Sequence, residues 1–261
     1  MIETLVDFIR EELSRAAFNR LVLGVSGGLD SAVVAFLGVR AIGKDDVIGV
    51  IMPYRTSNRD NMEDAAEIIK LTGISKKYII DITPQVDVYF ENYPEADEIR
   101  RGNKMARERM SVLYDISARE KALVIGTSNK SEILLGYGTI HGDLACALNP
   151  IGDLYKTQVR ALAAALEIPQ RIIAKPPSAD LYAGQSDEGE FGFSYEDLDR
   201  LLYLLVEKKY PPEKCSEAGF SKELVAKVAA LINKNRFKGR QPVIANISKI
   251  SGRPDRRNLR D

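Results

Sequence analysis

The sequence predicts an α/β protein with a doubly wound, mostly parallel, Rossmann-like sheet flanked by helices and followed by a helical C-terminal part. Three observations predict it. Short β-rich apolar runs alternate with longer amphipathic segments through the first half of the chain. Those runs lack polar alternation, as strands buried on both faces do. From Tyr155 onward only helical periodicity remains. Strand–helix alternation of this kind implies right-handed crossovers. We expect a single domain over residues 1–261: an α/β core at about 20–154, a helical part at about 155–235 and a basic tail at 236–261.

The chain opens on Ile2, Leu5, Val6, Ile9 and Leu13 at helical spacing with charges between them. A signal peptide would need a continuous apolar stretch behind a basic start. No apolar run approaches the roughly 20 residues that span a bilayer, so no membrane partner and a cytoplasmic location are expected. Strands are expected near 21–25, 47–52, 78–82 and 122–125, with helices near 31–42, 58–71 and 99–119 between them. Further on, 156–166 is Ala-rich and amphipathic, Ser194-Tyr-Glu-Asp197 has the form of a helix start, and Ser221 opens a helix to about Asn235. Residues 174–193 hold Pro176, Pro177, Gly184, Gly189 and Gly192 and read as a loop, a candidate lid.

Lys plus Arg and Asp plus Glu each number 37, so the formal net charge is zero and there is no basic excess to indicate nucleic acid. Two cysteines, Cys146 and Cys215, are too few for a disulfide framework or a zinc cage. Cys146 reads as a small packing residue rather than a nucleophile.

The chemistry begins at the first strand. Leu21–Val25 runs into Ser26-Gly-Gly-Leu-Asp-Ser31 and then an apolar helix. A strand end, two glycines and a helix start gather backbone N–H groups around one point, and the helix dipole adds partial positive charge. Gly27 and Gly28 let the backbone approach phosphate, and Ser26 and Ser31 add hydroxyls. No lysine follows as in a Walker loop. Asp30, a carboxylate beside phosphates, makes sense as a Mg²⁺ ligand. The plainer reading is a capped strand–helix turn.

The SGGLDS run resembles the pyrophosphate loop of the N-type ATP pyrophosphatases, which cleave ATP between the α and β phosphates and adenylate a carbonyl or carboxylate oxygen. Later segments resemble the NAD synthetases in particular: Ala106–Met110, Gly126-Thr-Ser-Asn-Lys-Ser-Glu132, Gly136-Tyr-Gly-Thr139 with Gly142-Asp143, Asp153-Leu-Tyr-Lys-Thr-Gln158, and Lys175-Pro-Pro-Ser-Ala-Asp180 with Gly184-Gln185 and Asp187-Glu188. The resemblance runs from about Leu21 to Leu202.

By that resemblance Gly24, Val25, Ser26, Gly27, Gly28, Leu29, Asp30, Ser31, Thr127, Lys156 and Ser178 contact ATP, and Asp30 and Glu132 hold Mg²⁺. Asp30 and Lys156 carry the catalysis, Lys156 by neutralising charge on the departing pyrophosphate. Arg107 and Asp143 contact deamido-NAD; the spacing leaves Arg109 open as well. Where many ammonia-dependent members have Lys-Tyr-Gly-Asp, this chain has Ile140-His-Gly-Asp143, so one lysine contact is absent. His141, the only histidine, invites a general-base reading.

The resemblance implies adenylation of the deamido-NAD carboxylate by ATP, then amidation by ammonia, giving NAD, AMP and pyrophosphate. About 20 residues precede the loop, which leads us to expect free ammonia or a separate glutaminase as the nitrogen source. Homodimers are typical of the family, and the helices near 99–119 and 155–166 are the candidate contacts. A thiolating or GMP synthetase-like enzyme of the same loop family is the nearest rival. A nucleotide-binding module without catalysis is another, and the presence of Asp30, Glu132 and Lys156 argues against it.

Overall fold

The computed structural model describes residues 1–178 and 187–239. Part of the expected lid (179–186, with Asp180, Gly184 and Gln185) and the tail from 240 to 261 lie outside the described residues.

Four parallel strands form one sheet: β1 (Leu21–Gly24), β2 (Val47–Ile51), β3 (Lys76–Ile79) and β4 (Leu123–Val124), in the order β3-β2-β1-β4. Residues of one strand face two different cores. Leu21 and Leu23 of β1 join one apolar cluster and Val22 the other; in β2, Val47 and Ile51 oppose Ile48 and Val50. Both faces are covered, which is why the runs carry no polar alternation.

The first core is built with α1 (Ile2–Arg15), α2 (Leu29–Ile42), α3 (Arg59–Thr72), α7 (Lys156–Ala165) and α8 (Gln170–Ile173). The N-terminal helix buries Val6, Ile9 and Leu13, members of the predicted stripe. The opposite core takes α4 (Thr83–Glu91) and the long α5 (Glu98–Glu120), which starts on Asp97 accepting the Arg100 N–H at 2.7 Å. A third cluster gathers α9 (Asp187–Phe191), α10 (Tyr195–Leu202), α11 (Pro212–Glu217) and α12 (Lys222–Asn235) around Tyr195, Leu198, Leu201 and Leu202. The predicted caps are made: Ser194 accepts from Asp197 N–H and Ser221 from Leu224 N–H, each at 3.2 Å.

Three expectations change in detail. The third strand lies at 76–79 rather than 78–82, and its Lys76, Lys77 and Ile79 are exposed. It is an edge strand, so the two-sided burial used to place it applies less there. Pairing still continues as single bonds, Ile80 N–H to Ile51 O and Ile82 N–H to Pro53 O. The helix after α10 does not run on unchanged but widens into a π-helical turn over Tyr203–Glu207. The predicted loop at 174–193 contains α9, and a sixth helix, α6 (Lys130–Leu135), follows β4. Both are under two turns long, too short to show periodicity.

Candidate active site

From β1 the chain steps outward to β2 and β3, then crosses back to place β4 on the other side of β1. The crevice beyond the carboxyl ends of β1 and β4 is the topological switch point, where open α/β sheets bind ligands.

β1 feeds the glycine loop. Val25 N–H bonds Val50 O at 2.8 Å, keeping the strand in register to its last residue. Gly27 then takes φ +83°, and a Cβ there would lie 2.1 Å from the Asn61 carbonyl oxygen of α3. Only glycine fits both conditions. Gly28 is the N-cap of α2 and offers no side chain to cap it. The loop is held from within: Ser26 Oγ accepts the Gly28 N–H at 3.2 Å, and Ser31 Oγ donates to Gly28 O at 3.0 Å. The Ser31 hydroxyl is therefore a brace of the loop itself. α2 begins at Leu29, two residues before the predicted start, which puts Asp30 in its first turn.

β4 supplies the opposite wall. Gly126 N–H bonds Leu148 O, and Ile125 bridges Leu148 in parallel, a rudimentary fifth strand. A Cβ on Gly126 would meet Cys146 Sγ at 2.6 Å, so Cys146 is packed against this turn. Asn129 caps α6 in a reciprocal box: Asn129 Oδ1 accepts the Glu132 N–H at 3.0 Å, and Glu132 Oε2 accepts the Asn129 N–H at 3.3 Å. Asn129 Nδ2 also donates to Asp30 Oδ1 at 3.2 Å, joining the two walls.

Lys156, the first residue of α7, closes the cluster with a side chain only 5% exposed. Its Nζ donates to Asp30 Oδ2 and lies 3.4 Å from Glu132 Oε1. Burial pulls the ammonium's pKa down, but Asp30, Glu132 and Asp187 together raise it above its ordinary value. Burial pushes the Glu132 carboxyl up to about 8; Lys156 opposes the shift, and Asp30 and Asp187 reinforce it. Two carboxyl groups converge on one ammonium with a third, Asp187, nearby, and Asp187 Oδ1 is a buried acceptor with no hydrogen-bond partner among the described residues. Such a donor set suits a hard cation. Among the described residues no three His, Cys, Asp or Glu side chains form a cage of their own.

These groups line one cavity of about 600 Å³. Of the sequence-predicted residues, Gly24, Val25, Ser26, Gly28, Leu29, Asp30, Ser31, Thr127, Glu132, Asp143, Lys156 and Ser178 line it. Gly27 is buried behind the lining against α3. Arg107 is exposed, does not line the cavity, and donates to Ile140 O at 3.2 Å. Arg109, left open by the spacing, does line it and donates to Met52 O at 3.1 Å. His141 is exposed at φ +60° and lies outside the lining. Sequence reasoning assigned no role to Asn129, Lys175, Asp187 or Lys238, which belong to the site. Asn129, Lys175 and Asp187 each fall in a segment that resembles the family, and Asn129 also carried the N-x-x-E capping pattern ahead of Glu132. Lys238 lies in the basic tail and carried no signal for the site.

Comparison with known proteins agrees with this architecture. The family model described as NAD synthase matches residues 1–242. The chain is 49% identical over 245 residues to the NH(3)-dependent NAD(+) synthetase of Fusobacterium nucleatum, covering 94% of this chain and 95% of that one. The structure of the NH3-dependent NAD synthetase from Campylobacter jejuni superposes with a TM-score of 0.79 at 39% identity, covering 94% and 96% of the two chains. The NMN synthetase from Francisella tularensis superposes with a TM-score of 0.83 at 30% identity, covering 94% and 97%. With the family model matched over residues 1–242 and relatives matched over more than nine-tenths of both chains, the chain belongs to the NAD synthase family.

Proposed function

We propose that the cavity adenylates the carboxylate of deamido-NAD with ATP and then amidates it with ammonia. The observation that supports this best is the meeting of Asp30, Glu132 and Lys156, from three separate helices, beside the glycine loop.

A carboxylate resists amidation because its leaving group would be oxide. In the proposed first step a carboxylate oxygen attacks the α-phosphorus of ATP. The bond to the β-phosphate oxygen breaks, and pyrophosphate leaves toward residues 24–31. Lys156, held protonated by its carboxylate neighbours, offsets the charge building on the departing phosphates. Thr127 and Ser178 would hold the nucleotide from the lining. In the second step ammonia attacks the acyl carbon, AMP leaves with the electron pair of the broken C–O bond, and the nitrogen sheds a proton to water. No covalent enzyme intermediate is needed. Asp30 and Glu132 would hold Mg²⁺, whose contribution when bound is to neutralise phosphate oxygens.

Asp143 in the lining and Arg107 beside Ile140 are the proposed contacts to deamido-NAD. The chain would act in the cytoplasm as one catalytic unit; no helix among the described residues is long and apolar enough to cross a membrane. It would pair as a homodimer through α5, which leaves Tyr114 exposed and Ile99 exposed at the edge of the cavity. α7 is a weaker candidate, since its apolar residues Val159, Leu162 and Ala163 are buried in the first core. Free ammonia is the proposed nitrogen donor, supported by the name of the Fusobacterium relative. A separate glutaminase would deliver the same molecule.

The likeness to an NMN synthetase favours one second reading, nicotinate mononucleotide as the acceptor. Pyrophosphate release is measured with ATP, Mg²⁺ and either acceptor, and the amide is then followed on adding ammonium. Release that depends on deamido-NAD supports the first reading. Release with the mononucleotide alone moves the assignment to the second, and release with neither removes both.

A further inference from the structure

We propose that Asp199 is a positioning residue that sets Lys156 against Asp30 and Glu132. The inference rests on the reading of Lys156 as the group that offsets phosphate charge.

Asp199 lies on α10, outside the cavity lining, and is 5% exposed. Both its oxygens are engaged at helix starts. Oδ1 accepts the hydroxyl of Ser131, the second residue of α6, and Oδ2 accepts the N–H of Thr157, the second residue of α7, at 2.8 Å. Ser131 Oγ in turn accepts the Lys156 N–H at 3.0 Å. One carboxylate and one hydroxyl thus satisfy the first two N–H groups of α7 and bind its start to the start of α6. Negative charge is favoured there by the dipole of α7.

The residues next to these anchors are the reactive ones. Glu132 follows Ser131, and Lys156 precedes Thr157. A lysine side chain has four rotatable bonds, so where its ammonium comes to rest depends on where its backbone is fixed. A backbone bond from the N–H of Lys130, the first residue of α6, to Leu154 O at 2.8 Å also ties the two segments. The Asp199 bridge fixes the first turns themselves. Because α10 belongs to the third core, the bridge also makes the register of the reactive pair depend on how the C-terminal helices pack.

The test uses the full chain as wild type, D199A, D199N and S131A. Two quantities are read: kcat and KM for NAD formation, and acylation of Lys156 by acetic anhydride in the ligand-free protein, quantified by peptide mass spectrometry. D199A is expected to lower kcat about 100-fold, the scale of an ångström-sized misplacement. KM for ATP should stay within about threefold, because the lost interaction acts in the transition state. Lys156 acylation should rise by about tenfold or more as its backbone loosens. D199N, whose amide can still accept from Thr157 and reach Ser131, should recover part of both, and S131A should fall between. Unchanged acylation in folded D199A and S131A would overturn the proposal. Increased acylation with unchanged kcat would leave the positioning intact and remove the catalytic reading of Lys156. If D199A does not fold, S131A, which deletes a single hydroxyl, decides.

Discussion

Replacing Gly27 with alanine probes a position in the glycine loop where backbone conformation and helix packing coincide. A Cβ at residue 27 would lie 2.1 Å from Asn61 O, 2.9 Å from Asn61 C and 3.1 Å from Ala65 N, all backbone atoms of α3. Real Cβ contacts essentially never fall below 3.0 Å, so loop and helix must separate by about 0.9 Å. Overpacking against rigid backbone costs about 1–3 kcal/mol. Holding an alanine at φ +83° adds about 1–2 kcal/mol. G27A should therefore lose about 2–5 kcal/mol, a large part of a typical domain's stability. Two companions separate the contributions. Gly73 is also left-handed, at φ +70°, but meets only the Lys44 side chain at 3.5 Å, so G73A isolates the conformational cost of about 1–2 kcal/mol. Gly28 has ordinary backbone angles and only Ser26 Oγ at 3.4 Å, so G28A should lose less than about 1 kcal/mol. Urea unfolding gives the stabilities, and NAD formation gives the activity, which in G27A should fall about 100-fold from misplacement of the loop. A G27A protein no less stable than G73A, with activity intact, would refute the argument that α3 presses on the loop.

Substituting Lys156 with methionine leaves Asp30 and Glu132 facing one another without a cation. It should destabilise the ligand-free protein by about 3 kcal/mol and slow NAD formation about 100- to 1000-fold, measured by denaturation and turnover. The raised carboxyl of Glu132 gives a signed pH dependence. The folded chain binds this proton more tightly than the unfolded chain, whose carboxyl titrates near 4.5, so the contribution is full below that pH and lost as pH rises to about 8. Melting temperatures in EDTA should show this decline in wild type and a flatter profile in E132Q. C146A should keep most of the activity, since Cys146 packs against Gly126 and no step needs a thiol nucleophile. A loss of more than about tenfold, beyond what its small volume change explains, would reopen that assignment.

The strands and long helices were legible because each is long enough to show its own period. β1 and β2 appear as apolar runs, and α5 carries a recurring stripe through Met105, Met110, Leu113 and Ile116. What stayed hidden was local or tertiary. α6 has six residues and α9 five, too few for a hydrophobic stripe. α4 starts on Thr83-Pro84, where the proline reads as a breaker although it sits in a first turn that tolerates it. In the site, residues on the glycine loop and after β4 could be read from motifs because their roles follow from backbone and sequence neighbours. Arg107 and Arg109 could not be separated that way: two residues apart on a helix, they face different directions, and only the packing of α5 shows which one enters the cavity. Asp199 was invisible for the same reason. Its partners are 42 and 68 residues away in the chain.

The edge strand β3 has a consequence for how copies of this chain meet. It pairs with β2 on one side only, so among the described residues its outer row of amides and carbonyls is open. Ile79, 64% exposed, would make that edge adhesive. Two lysines at the start of the strand work against it: Lys77 is exposed, and Lys76 is engaged with Glu120. A foreign strand laid along the edge would have to desolvate one ammonium and crowd an ion pair. The sheet is thereby discouraged from growing from molecule to molecule, and replacing both lysines with valine should convert a well-behaved solution into one that precipitates on warming.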